Sequence, residues 1–172
     1  MWYVIQTTTG KEEELVALIR RMLPASLYSR CFFMKRQLMK RLGGEWLEVT
    51  ETLFPAYVFL ETIQEKEVFY RLKRIPEFTK LLGDGEGAFI PLEAEEEAFF
   101  KKLCGGGPGD LVRNTTVYLD RDREIRRLEG PLEQFRERIK QINLRKRYVI
   151  LDATLCGREK TALLGIRLEK DP

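Results

Sequence analysis

Residues 2–22 read WYVIQTTTGKEEELVALIRRM, and this stretch decides the fold. Trp2 to Thr7 is aromatic and β-branched, which predicts a strand ending in Thr7-Thr8-Thr9-Gly10. From Lys11 to Met22 the apolar Leu15, Leu18, Ile19 and Met22 fall at i, i+3, i+4 and i+7, the spacing of one helix face. Glu12, Glu13 and Glu14 occupy its first turn and Arg20 and Arg21 its last, which suits the helix dipole. Pro24 stops it.

Working outward, residues 28–60 read as β-structure. Gly43-Gly44 marks a hairpin turn, with Lys35, Arg36, Lys40 and Arg41 ahead of it. FPAYVFL (54–60) is too apolar for a solvated edge, so it predicts a central strand with one face exposed or covered by a helix. A second helix is expected from Gln64 to Arg74, carrying Val68, Phe69 and Leu72. A short strand near Phe78 to Leu82, the turn Gly83-Asp84-Gly85 and a third helix from Leu92 to Leu103, opened by Pro91, follow. Strand and helix mixed in this way predict an α+β domain over 1–103. CGGGPG (104–109) then marks a linker, 104–112. A phosphate-cradling loop is excluded there, because no Lys-Ser/Thr follows and no apolar strand precedes. Beyond it, Val149, Leu151, Ala153 and Leu155, and then Ala162, Leu164, Ile166 and Leu168, alternate with other residues. Period-2 strands separated by turns predict a small all-β barrel over 113–172, too small to hold a substrate cavity.

The 172 residues, 44% apolar and a third charged, suffice for two small domains. No apolar run is long enough to span a membrane, and residues 1–5 do not resemble a signal peptide. Cys31, Cys104 and Cys156 form no CxxC pair and fit a reducing cytoplasm. The chain has no histidine, which removes His-based triads and the H-E-x-x-H zinc motif. Neither a metal nor a cofactor is implied. Glu95 and Glu96 are the nearest thing to a carboxylate pair, but adjacent helical positions point about 100° apart and cannot flank one substrate. The chain is therefore expected not to be an enzyme. Net charge is +3, distributed as −1 over residues 1–103 and +4 over 104–172. The surplus peaks from Arg136 to Arg147, with six basic residues and one acid. Such a run attracts polyanions; a solvated hairpin face would carry the same charges.

The order of these parts resembles the NusG family over essentially the whole chain. WYVIQTTTGKEEE (2–14), FPAYVFLE (54–61), RIPEFTKLLGDG (74–85) and the acidic helix after Pro91 match its amino-terminal (NGN) domain in order and spacing. Residues 125–170 resemble its KOW domain, an SH3-like barrel. GPLEQFRERIKQINLRKRYVILDATLCGRE (130–159) is most similar to the specialised paralogue LoaP. Departures from the family pattern are Ala56 for the Gly of FPGY, Glu77 for the Gly of its PGV segment, Gln134 for the second KOW glycine, and Asn143-Leu144 in the D-R-H-K-R run.

The resemblance implies a monomeric cytoplasmic factor for transcription elongation and antitermination. Its NGN domain would dock on the clamp helices of RNA polymerase through Trp2, Phe54, Pro55, Tyr57 and Phe59. Lys35, Arg36, Lys40 and Arg41 are candidates for upstream or non-template DNA. In LoaP-like members the KOW domain binds a hairpin in the nascent leader RNA; in general members it binds a protein, Rho or a ribosomal protein. The basic run fits RNA, through Arg138, Lys140, Arg145, Lys146, Arg147, Arg158 and Lys160. Arg145 or Arg147, on a turn, is expected to read base edges. Leu128, Leu132, Phe135, Ile139 and Ile142 are expected in the core.

Overall fold

The computed structural model describes residues 1–76, 89–106 and 109–172. The strand and turn expected at 78–85, together with Glu77, lie outside the described residues, as do Gly107 and Pro108. Contacts divide the chain into two compact units. One joins Met1–Met34 to Phe54–Glu97, and the other joins Lys35–Leu53 to Ala98–Pro172. This partition by contact differs from the partition at the glycine stretch, because the hairpin of residues 35–53 packs with the carboxyl-terminal strands.

The first unit is built on an antiparallel sheet in the order β2 (Arg30–Phe32), β5 (Tyr57–Glu61), β1 (Trp2–Gln6), β6 (Phe89–Pro91). The central place of FPAYVFL follows, since β5 pairs on both edges. Helices α1 (Glu12–Met22) and α2 (Glu65–Lys73) cover one face. Ile5, Val58 and Leu60 from the strands meet Leu15, Ile19, Val68 and Leu72 from the helices in one apolar cluster. The period-2 strands and period-3.6 helices bring these residues to the same layer. The opposite sheet face carries Trp2, Phe32 and Phe59. Their ring centroids lie 5.0 to 6.0 Å apart, stacked or edge-on, and such pairs add about 1 kcal/mol each beyond area burial.

Glu12 explains how the turn before β5 closes. It is buried, and its carboxylate accepts the Ala56 N–H at 2.6 Å and the Gly10 N–H at 3.2 Å. Burial alone would push its pKa up, but these amide hydrogen bonds outweigh it and hold the carboxyl below its ordinary value. Ala56 sits at φ +72°, the left-handed conformation that a glycine adopts without strain. Ala56 therefore does stand at a glycine-demanding position, and the Glu12 hydrogen bond helps to hold it there. Helix α3 (Ala94–Leu103) begins with the Glu93 N–H donating to the Glu96 carboxylate, so Glu96 caps the helix.

The second unit is all-β except for its part of α3 and short 3-10 turns. Five strands run in the order β10 (Ile139–Asn143), β11 (Tyr148–Leu155), β12 (Arg158–Leu168), β8 (Thr115–Leu119), β9 (Ile125–Glu129), a half-barrel. Val149, Leu151, Ala153 and Leu155, and the β12 series Ala162, Leu164, Ile166 and Leu168, all point inward, as their alternation predicts. Leu128 and Leu132 are core and Phe135 and Ile139 are half-buried, but Ile142 is exposed, against expectation. Residues 131–138 form 3-10 turns, not a strand, so Arg138 ends a turn and only Lys140 lies on the strand.

The long hairpin β3 (Lys35–Leu42) and β4 (Glu45–Thr52) turns at Gly43-Gly44, at φ +60° and +87°. β3 also pairs in parallel with β7 (Leu111–Val112) and packs against β12. The approach is closest at Gly165. A Cβ there would lie 2.0 Å from Asn114 Oδ1 and 2.3 Å from the Gln37 carbonyl oxygen. The Asn114 N–H donates to Gln37 Oε1 at 3.0 Å and its side-chain amide donates to Glu48 at 3.1 Å, which ties hairpin and half-barrel together.

Candidate functional site

Five residues of the first unit were expected to face a partner. The structure places Trp2 and Phe59 at 0% exposure and Phe54 at 5%. They belong to the packed interior, because the period-2 spacing that puts Tyr57 and Phe59 on one face also aligns Phe59 with Trp2 and Phe32. Pro55 is exposed and Tyr57 half-buried, so these two remain reachable at the surface.

The basic residues of the second unit separate into different environments. Lys35 pairs with Asp110 at 3.4 Å. Arg36 is half-buried and donates to the Leu163 carbonyl at 2.7 Å; burial lowers its pKa while Glu51 opposes the shift. Both serve packing within the unit. Lys40 and Arg41 are exposed near the hairpin tip, with Lys40 reaching Glu51 and Arg41 Nε donating to the Gly44 carbonyl at 3.2 Å.

On the half-barrel, Arg138 lies over the Phe99 ring, 4.5 Å from its centroid, and Lys140 pairs with Asp152 at 3.1 Å. Arg138, Lys140 and Lys160 line a shallow hollow that Asp152 and Glu159 also line, so its charge is mixed. Arg158 is exposed beside it in sequence, at the start of β12.

Arg147 corrects the sequence expectation most sharply. It is buried, and its Nε and Nη2 donate to the two Asp171 carboxylate oxygens at 2.6 and 3.0 Å. A further N–H donates to the Leu144 carbonyl, and the guanidinium lies 4.6 Å from the centroid of Trp46. A side chain so occupied does not read bases. Burial would raise the Asp171 pKa, but the Arg147 hydrogen bonds and the Leu168 N–H outweigh that and hold it below the ordinary carboxylate value. The bound guanidinium holds Arg147 at φ +61°, and Asn143 Oδ1 accepts the Lys146 N–H at 2.9 Å. The tight turn of residues 143–147 is thus fixed from inside. Asn143 and Leu144, which depart from the family pattern, build that turn, the signal being an Asx residue three before Lys146.

The same turn sends Arg145 and Lys146 outward. Together with Lys40, Arg41, Leu42, Met39 and Trp46 they line a hollow of about 430 Å³. Four cations face it and no lining residue is acidic. Nothing in the sequence brings position 41 near position 145; the packing of β3 on the half-barrel does.

Among the described residues no group of three His, Cys, Asp or Glu is placed to hold a metal, and no helix is long and apolar enough to cross a membrane. An α+β unit and a small all-β half-barrel are the two fold classes that the sequence predicts for the chain. Residues 1–101, more than half the chain, match the family model described as transcription termination factor nusG, and the chain belongs to the NusG family. Similar relatives are the transcription termination/antitermination proteins NusG of Bacillus subtilis, Lactococcus lactis and Thermus thermophilus. The first is 24% identical over 165 residues, covering 92% of this chain and 90% of the relative. The second is 27% identical over 149 residues, covering 83% and 78%. The third is 24% identical over 169 residues, covering 92% and 91%. The fold is similar to that in the solved structure "Domain interaction in Thermotoga maritima NusG", with a TM-score of 0.54, 23% identity, and coverage of 95% of this chain and 92% of that one.

Proposed function

We propose that this NusG-family factor acts in the cytoplasm on transcription elongation and antitermination, with residues 1–103 binding the clamp helices of RNA polymerase and residues 113–172 binding a structured leader RNA. The surface of the first part centres on Pro55 and Tyr57, the two reachable members of the aromatic stretch. The RNA half is carried by one observation: the lining of the hollow at Arg145 and Lys146 holds four cations and no carboxylate, Glu51 outside it reaching Lys40, whereas Asp152 and Glu159 stand among the three cations of the hollow at Lys140. Clustered cations beside apolar surface suit phosphates flanked by bases, the specialised behaviour of LoaP-like members.

The test is a pair of binding titrations on the full chain. Tyr57→Ala should weaken binding to purified RNA polymerase, by on the order of 10-fold for an interface aromatic, and leave RNA binding unchanged. Circular dichroism checks that the variant is folded. Unchanged polymerase affinity in a folded variant removes Tyr57 from the interface, and absence of RNA binding by the parent chain removes the RNA half.

A further inference from the structure

The geometry points to a single nucleic-acid groove built jointly by the β3–β4 hairpin tip and the turn of residues 143–147, which takes the phosphate backbone of a single-stranded or looped RNA. This rests on the RNA half of the proposed function and goes beyond it, because the hairpin cations had been candidates for DNA and the turn cations for RNA. Lys40 and Arg41 lie on one wall and Arg145 and Lys146 on the other of one hollow of about 430 Å³. Two ligands of like charge cannot fill that hollow together, so the four cations serve one ligand.

The ligand class follows from the lining. The four cations alone would suit any anion. Leu42, 54% exposed, and the single, half-buried ring of Trp46 add apolar surface among them, and cations beside apolar surface match a nucleic-acid strand, in which phosphates alternate with flat bases. Duplex DNA is the poorer fit. Its major groove is read by an element that protrudes into it, whereas this surface is concave. A strand or loop can enter the hollow.

The wall positions are also fixed before binding. Arg147, held by Asp171, stacks on Trp46 and so ties the 143–147 turn to the hairpin. Gly165 allows the Gln37 carbonyl to approach the half-barrel. A preset groove loses little conformational entropy when it closes on a ligand. Lys40 also contacts Glu51, so it is the weakest of the four contributors.

The experiment measures binding of a fluorescein-labelled RNA stem-loop, its scrambled single strand and a duplex DNA of equal length by the full chain. Four proteins are compared at several salt concentrations: the parent, Lys40→Gln/Arg41→Gln, Arg145→Gln/Lys146→Gln, and, as control, Arg121→Gln, an exposed cation outside both hollows. Each double variant should lower affinity for the same RNA on the order of 10-fold and reduce the slope of log K against log salt by roughly 1.4, the value for two phosphate contacts on a single strand. Arg121→Gln should change neither. Loss of RNA affinity in the turn variant alone overturns the joint groove while sparing the RNA half of the proposed function. Hairpin variants that lose only duplex DNA also overturn it. No RNA binding by the parent overturns both, and polymerase binding, measured separately, shows whether the rest of the proposed function stands. An acidic peptide displacing the RNA stoichiometrically, with greater affinity, makes the groove a protein site and overturns the assignment.

Discussion

Replacing Asp171 with alanine removes the acceptor of three hydrogen bonds, from Arg147 Nε at 2.6 Å, Arg147 Nη2 at 3.0 Å and the Leu168 N–H at 2.7 Å. The side chains of Arg147 and Asp171 are only 8% and 3% exposed, so water does not replace what is lost. The guanidinium keeps the Leu144 carbonyl and the Trp46 ring but no counter-charge. Breaking a buried ion pair by removing one partner costs roughly 3–5 kcal/mol. With a urea m-value of about 2 kcal/mol/M, that lowers the unfolding midpoint by about 2 M. Asp171→Asn retains an acceptor without the charge and should cost less, about 2 kcal/mol. Arg147→Met/Asp171→Leu removes both charges in favour of apolar packing and should recover most of the loss. The assay is urea unfolding at pH 7 followed by circular dichroism, with RNA binding measured on the double variant. Because the Asp171 carboxyl is depressed in the folded chain, its contribution is complete above the unfolded value near 4 and fades as pH falls through the lower folded value. A midpoint shift below about 0.5 M for Asp171→Ala, about 1 kcal/mol by the same m-value, would refute the buried pair and return Arg147 to the candidates for RNA contact.

Four further outcomes follow from the packing. Phe59→Ala should destabilise the first unit by about 3–5 kcal/mol in thermal or urea unfolding, the cost of an emptied aromatic core site; a loss under 1 kcal/mol would mark Phe59 as surface. Ala56→Gly relieves the left-handed strain and should leave the chain as stable or stabilise it by about 1 kcal/mol, whereas Ala56→Val should destabilise it, both read from unfolding midpoints. The Cys31 thiol, pushed up to about 12 by burial, should resist iodoacetamide at pH 8 while the half-buried Cys104 and Cys156 react first, as peptide mass mapping would show. Gly165→Ala places a methyl against Asn114 and the Gln37 carbonyl and should cost about 2 kcal/mol or more or lift the hairpin off the half-barrel, seen as faster amide exchange in β3. Unchanged exchange and stability would refute that close approach.

The elements with strong periodicity were legible from the residues alone. Helix α1 was expected from Lys11 and begins at Glu12, and α2 and α3 fall within two residues of their expected ends. The apolar faces of β11 and β12 were readable because their side chains alternate strictly between core and surface. The candidate site was legible only as composition. Seven basic residues of the half-barrel look alike in sequence, yet Arg147 is buried on Asp171, Lys140 is paired with Asp152, and Arg145 and Lys146 face outward. Those differences arise from partners 12 and more positions away, which local patterns do not encode. The same holds for Trp2 and Phe59, whose burial depends on Phe32 from a third strand.

The most direct measurement is transcription by purified RNA polymerase across an intrinsic terminator placed downstream of the cell's own leader sequences, with and without the full chain. The proposed function predicts a change in the fraction of transcripts passing the terminator, lost in Tyr57→Ala. It also predicts greater read-through on the leader whose RNA hairpin the chain binds, an increment reduced in Arg145→Gln/Lys146→Gln. Termination and elongation rates identical with and without the protein, on every leader and at saturating concentration, would contradict it.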